Sequence, residues 1–158
     1  MKFNVKERAE LARQLFTEGY NCSQAVLLAY CSDLGLNQEI AKAIASSFGG
    51  GMGRMREVCG TCTAMFALVG LASPSSVPGD IKTKTANYQL VQELAEAFKR
   101  ETGSIICRDM LELNGNTHEG PIPEIRTGEY YKRRPCSELV YLAAEIVGNK
   151  LNTLDLQR

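Results

Sequence analysis

Residues 49–71 constrain this chain more than any other stretch: four glycines, Arg54 and Arg56 lead through Cys59 and Cys62 into a run that is almost wholly apolar from Met65 to Leu71. An apolar run at helical length without a solvated face belongs in the interior. The run predicts a buried central helix over about residues 56–72, with the other elements packed around it. Cys59 and Cys62 then fall in its first turns, where unpaired backbone N–H groups and the positive end of the helix dipole favour thiolate over thiol. Arg54 and Arg56 add to that field, so Cys59 is expected to be the most reactive thiol, with a pKa below the ~8.5 of a free cysteine.

The flanking sequence has helical period throughout. Val5, Ala9, Ala12 and Phe16 make one amphipathic helix that Gly19 should end. Asn21 and Gln24 form a variant capping box that puts Cys22 at a first helical position, pointing inward beside Val26. Asn37 caps a third helix with Ile40, Ile44 and Phe48 facing inward. Tyr88, Val91, Ala95 and Phe98 form the stripe of a long helix closed by Gly103, and Ser104 caps a short one over residues 105–113. Pro135 opens the last helix, whose buried stripe is Leu139, Leu142, Ala143 and Ile146. The expected fold is all-α, one domain over residues 1–158, a compact bundle of about six helices. Residues 114–134 show no period and read as a long loop or lid, with His118, the single histidine, as an exposed loop residue.

Composition narrows the functions. Eighteen basic and eighteen acidic residues cancel, which excludes the broad basic footprint of a nucleic-acid binder. No apolar segment is long enough to span a bilayer, and the charged first residues do not resemble a signal peptide, so a cytoplasmic location is expected. Six cysteines in such a chain point to reactive or metal-binding thiols rather than structural disulfides.

Cys22, Cys59, Cys107 and Cys136 each fall at the start of a different expected helix, and Arg54, Arg56, Arg108, Arg133 and Arg134 flank three of them. Converging helix starts would make an electropositive pocket lined by thiolates, suited to an iron–sulfur cluster, a Zn2+ ion or exchanging dithiols. The four lie 37, 48 and 29 positions apart, unlike the local knuckles of zinc ribbons or ferredoxins, so tertiary structure must assemble the site. Cys59-Gly60-Thr61-Cys62 has the spacing of a dithiol oxidoreductase without the strands of a thioredoxin-like scaffold. Cys31, at the far end of its helix, reads as an apolar filler.

These residues resemble a family of small bacterial and archaeal proteins called C_GCAxxG_C_C, described as redox-active and marked by four cysteines. The resemblance rests on Tyr20-Asn21-Cys22-Ser23-Gln24, the glycines of residues 48–53, Val58-Cys59-Gly60, Cys107-Arg108 and Pro135-Cys136-Ser137. It implies that the family cysteines are Cys22, Cys59, Cys107 and Cys136. Thr61 and Ala64 depart from the family's Cys-Gly-Ala-x-x-Gly, and Cys62 is an addition that supplies a resolving thiol for Cys59. Two functions stay open. One is a redox protein, a thiol or iron–sulfur oxidoreductase working through Cys59 and Cys62 with Arg54, Arg56 and Gly60 around the group and an unidentified redox partner. The other is a non-catalytic module holding Zn2+ or another thiophilic ion on the four cysteines. A homo-oligomer is compatible with both.

Overall fold

The computed structural model describes residues 1–113 and 119–156; His118 lies outside the described residues. The described chain is all-α. Its elements are α1 (Val5–Thr17), α2 (Cys22–Leu28), α3 (Gln38–Ala45), a 3-10 turn (Ser46–Phe48), α4 (Gly49–Met52), α5 (Gly60–Ala72), α6 (Ile81–Thr102), α7 (Cys107–Met110), α8 (Gly128–Arg133) and α9 (Cys136–Leu151). The helix α5 is central, packing against α2, α6 and α9, while α1 lies along α9. Its buried residues are Gly60, Thr61, Cys62, Ala64, Met65, Leu68 and Val69. A side chain such as Leu68 contributes roughly 1.5–3 kcal/mol by its removal from water. The ends of α1 and α9 are clamped by Asn152, whose side chain accepts from the Phe3 amide at 2.7 Å and donates to the Phe3 carbonyl at 3.0 Å.

Four expectations are corrected. The central helix begins at Gly60 rather than near Arg56, because Arg56 has a left-handed φ of 59° that no right-handed helix accommodates. Nor is it dry all round, for Phe66 is only half-buried and Ala67 is exposed. In α3 the inward residues are Ala41 and Ala45, whereas Ile40 and Ile44 are each 53% exposed. Close approach of α3 to α2 favours the small side chains, and the larger ones turn outward. The long helix α6 is buried through Leu94 and Phe98, and Tyr88 is exposed because residues 81–86 run beyond the core.

Between α4 and α5 the chain does something no helical or strand period announces. Gly50, Gly51, Met52, Gly53 and Arg54 have φ of 67°, 67°, 67°, 61° and 65°, one continuous left-handed turn. Three glycines make it affordable, while Met52 and Arg54 each cost about 1–2 kcal/mol. Amides of Arg54, Arg56 and Glu57 close it by donating to the carbonyls of Gly49, Gly50 and Gly51 at 3.2, 3.2 and 3.0 Å. The chain then pairs with residues ahead of α7 through one antiparallel bridge, Val58 to Ile106. Cys59 donates to the Ile105 carbonyl at 2.8 Å and Cys107 to that of Glu57 at 2.7 Å. The short helix expected over 105–113 is thereby confined to Cys107–Met110.

The expected lid is also partly helical. Thr127 accepts from the Tyr130 amide and starts α8, a single short turn that shows too little periodicity to be read from sequence. Pro135 sits one residue outside α9, at its N-cap.

Candidate functional site

The capping box at α2 is formed as expected. Asn21 accepts from the Gln24 amide at 2.9 Å and Gln24 from the Asn21 amide at 3.0 Å. The remaining amide groups of both side chains reach the end of α3, Asn21 donating to the Ala45 and Ser46 carbonyls and Gln24 to that of Lys42. This fixes Cys22, the first residue of α2, opposite the start of α5. Gly60 is what lets them meet: a Cβ there would lie 2.6 Å from the Cys22 sulfur and 2.7 Å from the Phe48 carbonyl oxygen. Gly51 serves Cys107 in the same way, its missing Cβ being 2.6 Å from that of Cys107.

Cys59 is the N-cap of α5, and its thiol has those of Cys22 and Cys62 as neighbours that influence its titration. The Thr61 hydroxyl lies 3.1 Å from the Cys59 sulfur. Cys107 is the first residue of α7, and Arg56 donates to its sulfur at 3.6 Å. Cys136 is the first residue of α9. Cys22, Cys59, Cys107 and Cys136 all line one inner cavity of about 60 Å³, room for a few waters at about 10–15 Å³ each. The four expected helix starts therefore do converge. Cys62 stands behind Cys59 and is fully buried, while Cys31 is buried in the core and accounts for no wall of the cavity.

The field in the cavity is not the one expected. Arg54 and Arg56 pair with Glu119, which the sequence offered no reason to place there; Arg54 lies 3.2 Å from its carboxylate and the Arg56 Nε 2.6 Å from it. Neither guanidinium is spent on Cys59. The neighbouring Cys22 thiol pulls Cys59 down, but the Cys62 thiol and burial outweigh this and push it up to about 12. Cys22 holds its proton well above the usual thiol range, first through the neighbouring Cys59 thiol and then through burial, with the amides of Gly50 and Ser23 opposing. Burial also raises Cys107, against the pull of Arg56, and carries Cys136 to about 12, helped by Cys22 and Cys107 and opposed by Arg134 and Arg56. The expectation of an acidic Cys59 is thus corrected: desolvation and thiol neighbours win over a helix N-terminus and over arginines that pair with Glu119 and, for Arg56, with Cys107 rather than with Cys59.

The cavity has an outer chamber of about 290 Å³. Gly50, Arg56, Arg126, Tyr130 and Cys136 are common to both walls. Arg126 is held by a 2.6 Å bond to the Phe16 carbonyl and lies over the Phe16 ring, 4.1 Å from its centroid. Arg134 pairs with Glu124 at 3.1 Å. No spacing argument could have found Glu119, Glu124 or Arg126, since each arrives from the stretch that shows no period.

A family model described as "Putative redox-active protein (C_GCAxxG_C_C)" matches residues 20–150. The chain belongs to the C_GCAxxG_C_C family. No curated protein and no solved structure matches it. Cys22, Cys59, Cys107 and Cys136, the four cysteines expected from the resemblance, surround one cavity in this C_GCAxxG_C_C protein. Thr61 is fully buried with its hydroxyl against the Cys59 sulfur. No helix among the described residues is long and apolar enough to cross a membrane.

Proposed function

We propose that this C_GCAxxG_C_C protein is a thiol–disulfide redox protein whose exchanging centre is Cys59, with Cys62 or Cys22 as its partner. The observation that carries this is that the Cys59 sulfur has two thiol neighbours: Cys22 lines the same cavity and Cys62 stands one turn behind it in α5, and each perturbs the titration of Cys59. Forming either disulfide takes two protons and two electrons from groups that are already neighbours, and both pass to an incoming disulfide that is reduced to two thiols. The high thiol pKa values make the reduced site slow at neutral pH. Its oxidation should accelerate as pH rises, approaching tenfold per unit below the thiol pKa. The test is oxidation of fully reduced protein with one equivalent of a disulfide, alkylation of the remaining thiols, and peptide mapping. The reading requires a Cys59–Cys62 or Cys22–Cys59 disulfide that is absent in Cys59→Ser. Six alkylated cysteines after oxidant, or unchanged behaviour in Cys59→Ser, overturns it.

One observation favours a second reading, a thiophilic centre held by Cys22, Cys59, Cys107 and Cys136: all four line the same cavity. Their chemistry suits Zn2+ or an iron–sulfur cluster. Their placement does not, because no three His, Cys, Asp or Glu residues among the described ones converge on a shared metal position. Metal analysis and absorption spectra of anaerobically purified protein separate the readings. Stoichiometric zinc, or iron with an iron–sulfur chromophore, would replace the dithiol reading.

A further inference from the structure

The outer chamber is a basic wall built beside a thiol. Arg54, Arg56, Arg126 and Arg134 face it, and among the described residues only Glu119 and Glu124 supply carboxylates paired to them. Arg126 has no carboxylate partner among the described residues and is held instead by a backbone carbonyl and the Phe16 and Tyr130 rings. The Nε atoms of Arg54 and Arg134 are buried without a hydrogen-bond partner among the described residues, and buried donors are seldom left so. Their side chains are only 15% and 12% exposed. Arg54 is also held with a left-handed φ of 65°, and such strain collects where a ligand or reaction uses it. Guanidinium groups recognise planar or tetrahedral oxyanions through paired N–H bonds. The volume, about 290 Å³, is that of a small-molecule pocket. Among the cavity thiols, Cys136 alone lies on the walls of both chambers.

We infer that the outer chamber receives a small anionic disulfide, bearing carboxylate or phosphate groups, and presents its sulfur–sulfur bond to Cys136. The inference rests on the thiol–disulfide reading and names its substrate class. The Cys136 thiol gives up its proton and its sulfur attacks one sulfur of the ligand. The ligand S–S bond breaks and one thiol leaves with that proton. A second cavity thiol then attacks Cys136, releasing the other half of the ligand as a thiol. The protein loses two electrons and gains one disulfide, and the ligand is reduced to two thiols. Oxidising equivalents pass on from there to Cys59 by exchange between protein thiols, with no further oxidant.

The test compares three disulfides of similar size as oxidants of reduced protein at pH 8: dithiodiglycolate, which is dianionic, neutral bis(2-hydroxyethyl) disulfide, and cationic cystamine. The anionic compound should react about tenfold or more faster than the neutral one, and the neutral faster than the cationic, with the spread shrinking in high salt. Arg134→Gln should lower the anionic-to-neutral ratio about tenfold, and Glu124→Gln should raise it, two opposite signs that a merely structural defect cannot produce. Arg126→Gln replaces Arg134→Gln if the latter fails to fold. A mass increment of one thioglycolate on the Cys136 peptide should be trapped by acid quenching. Equal rates for the three compounds, or ratios indifferent to Arg134, Arg126 and Glu124, overturn the inference while leaving dithiol chemistry in place. If no disulfide oxidises the protein, binding of the non-exchanging dicarboxylate 3,3′-thiodipropionate, read by calorimetry, separates the two. Arg134-dependent binding then shows that the anion site stands and the redox reading falls, and no binding overturns both.

Discussion

At Gly60 a single hydrogen in place of a methyl decides whether two cysteines can meet. Gly60→Ala would put a Cβ 2.6 Å from the Cys22 sulfur and 2.7 Å from a backbone oxygen, so overpacking should cost about 1–3 kcal/mol in a urea titration. Adding Cys22→Ala should recover only part, because the Phe48 carbonyl remains; full recovery would show that the sulfur was the whole obstacle. The thiols themselves make a second prediction at this scale. With its pKa near 12, Cys59 in reduced protein should alkylate at pH 7 at least a hundredfold more slowly than a free peptide cysteine with pKa ~8.5. Peptide mapping of iodoacetamide labelling against pH measures this. An apparent midpoint below 8.5 would mean that the helix N-terminus and the arginines do govern the site.

Among the elements, the left-handed turn and α5 carry the site. Gly51 has φ 67°, and a Cβ there would lie 2.6 Å from that of Cys107 and 2.9 Å from the Glu57 amide nitrogen. Gly51→Ala should therefore cost several kcal/mol or prevent folding, whereas Met52→Gly, at the same φ of 67°, should cost little since glycine relieves about 1–2 kcal/mol of backbone strain there. The comparison is read from denaturant midpoints, and equal losses at the two positions would remove the turn from the argument. In α5, Leu68 is fully buried and Phe66 is not. Leu68→Ala should cost about 2–5 kcal/mol and Phe66→Ala clearly less than the 3–5 typical of a buried phenylalanine. A loss under 1 kcal/mol at Leu68 would place α5 at the surface.

For the whole molecule the raised thiols predict alkaline lability. Cys59 and Cys136 hold their protons to about pH 12, and Cys22, Cys107 and Tyr30 also titrate above their usual range. A group with a raised folded pKa stabilises fully below its unfolded pKa and loses that contribution as pH climbs toward the folded value. Stability of the reduced protein should thus be flat below about pH 8 and fall between about pH 8.5 and 12, by an order of a few kcal/mol. Thermal melts of reduced wild type against Cys59→Ser measure this, and the serine variant should fall less steeply. An unchanged slope would assign the loss to Tyr30 and the other thiols.

Sequence by itself determined the longer helices and several of their ends, because period, caps and breakers act within about four residues: Ala9, Ala12 and Phe16 are buried, Asn21 and Gln24 close their box, and Gly103 ends α6. It also marked Cys22, Cys59, Cys107 and Cys136 as one set, through their placement at helix starts. Only the tertiary structure decided what those cysteines experience. Val58 meets Ile106 and Arg56 meets Cys107 across about fifty residues of chain, and Glu119 reaches Arg54 and Arg56 from a stretch without period. Whether a neighbouring arginine lowers a thiol pKa depends on which carboxylate it already pairs with and on how much water the fold removes. Both are sums over contacts distant in sequence, which is why the charge pattern beside Cys59 pointed to an acidic thiol and the folded chain made a protonated one.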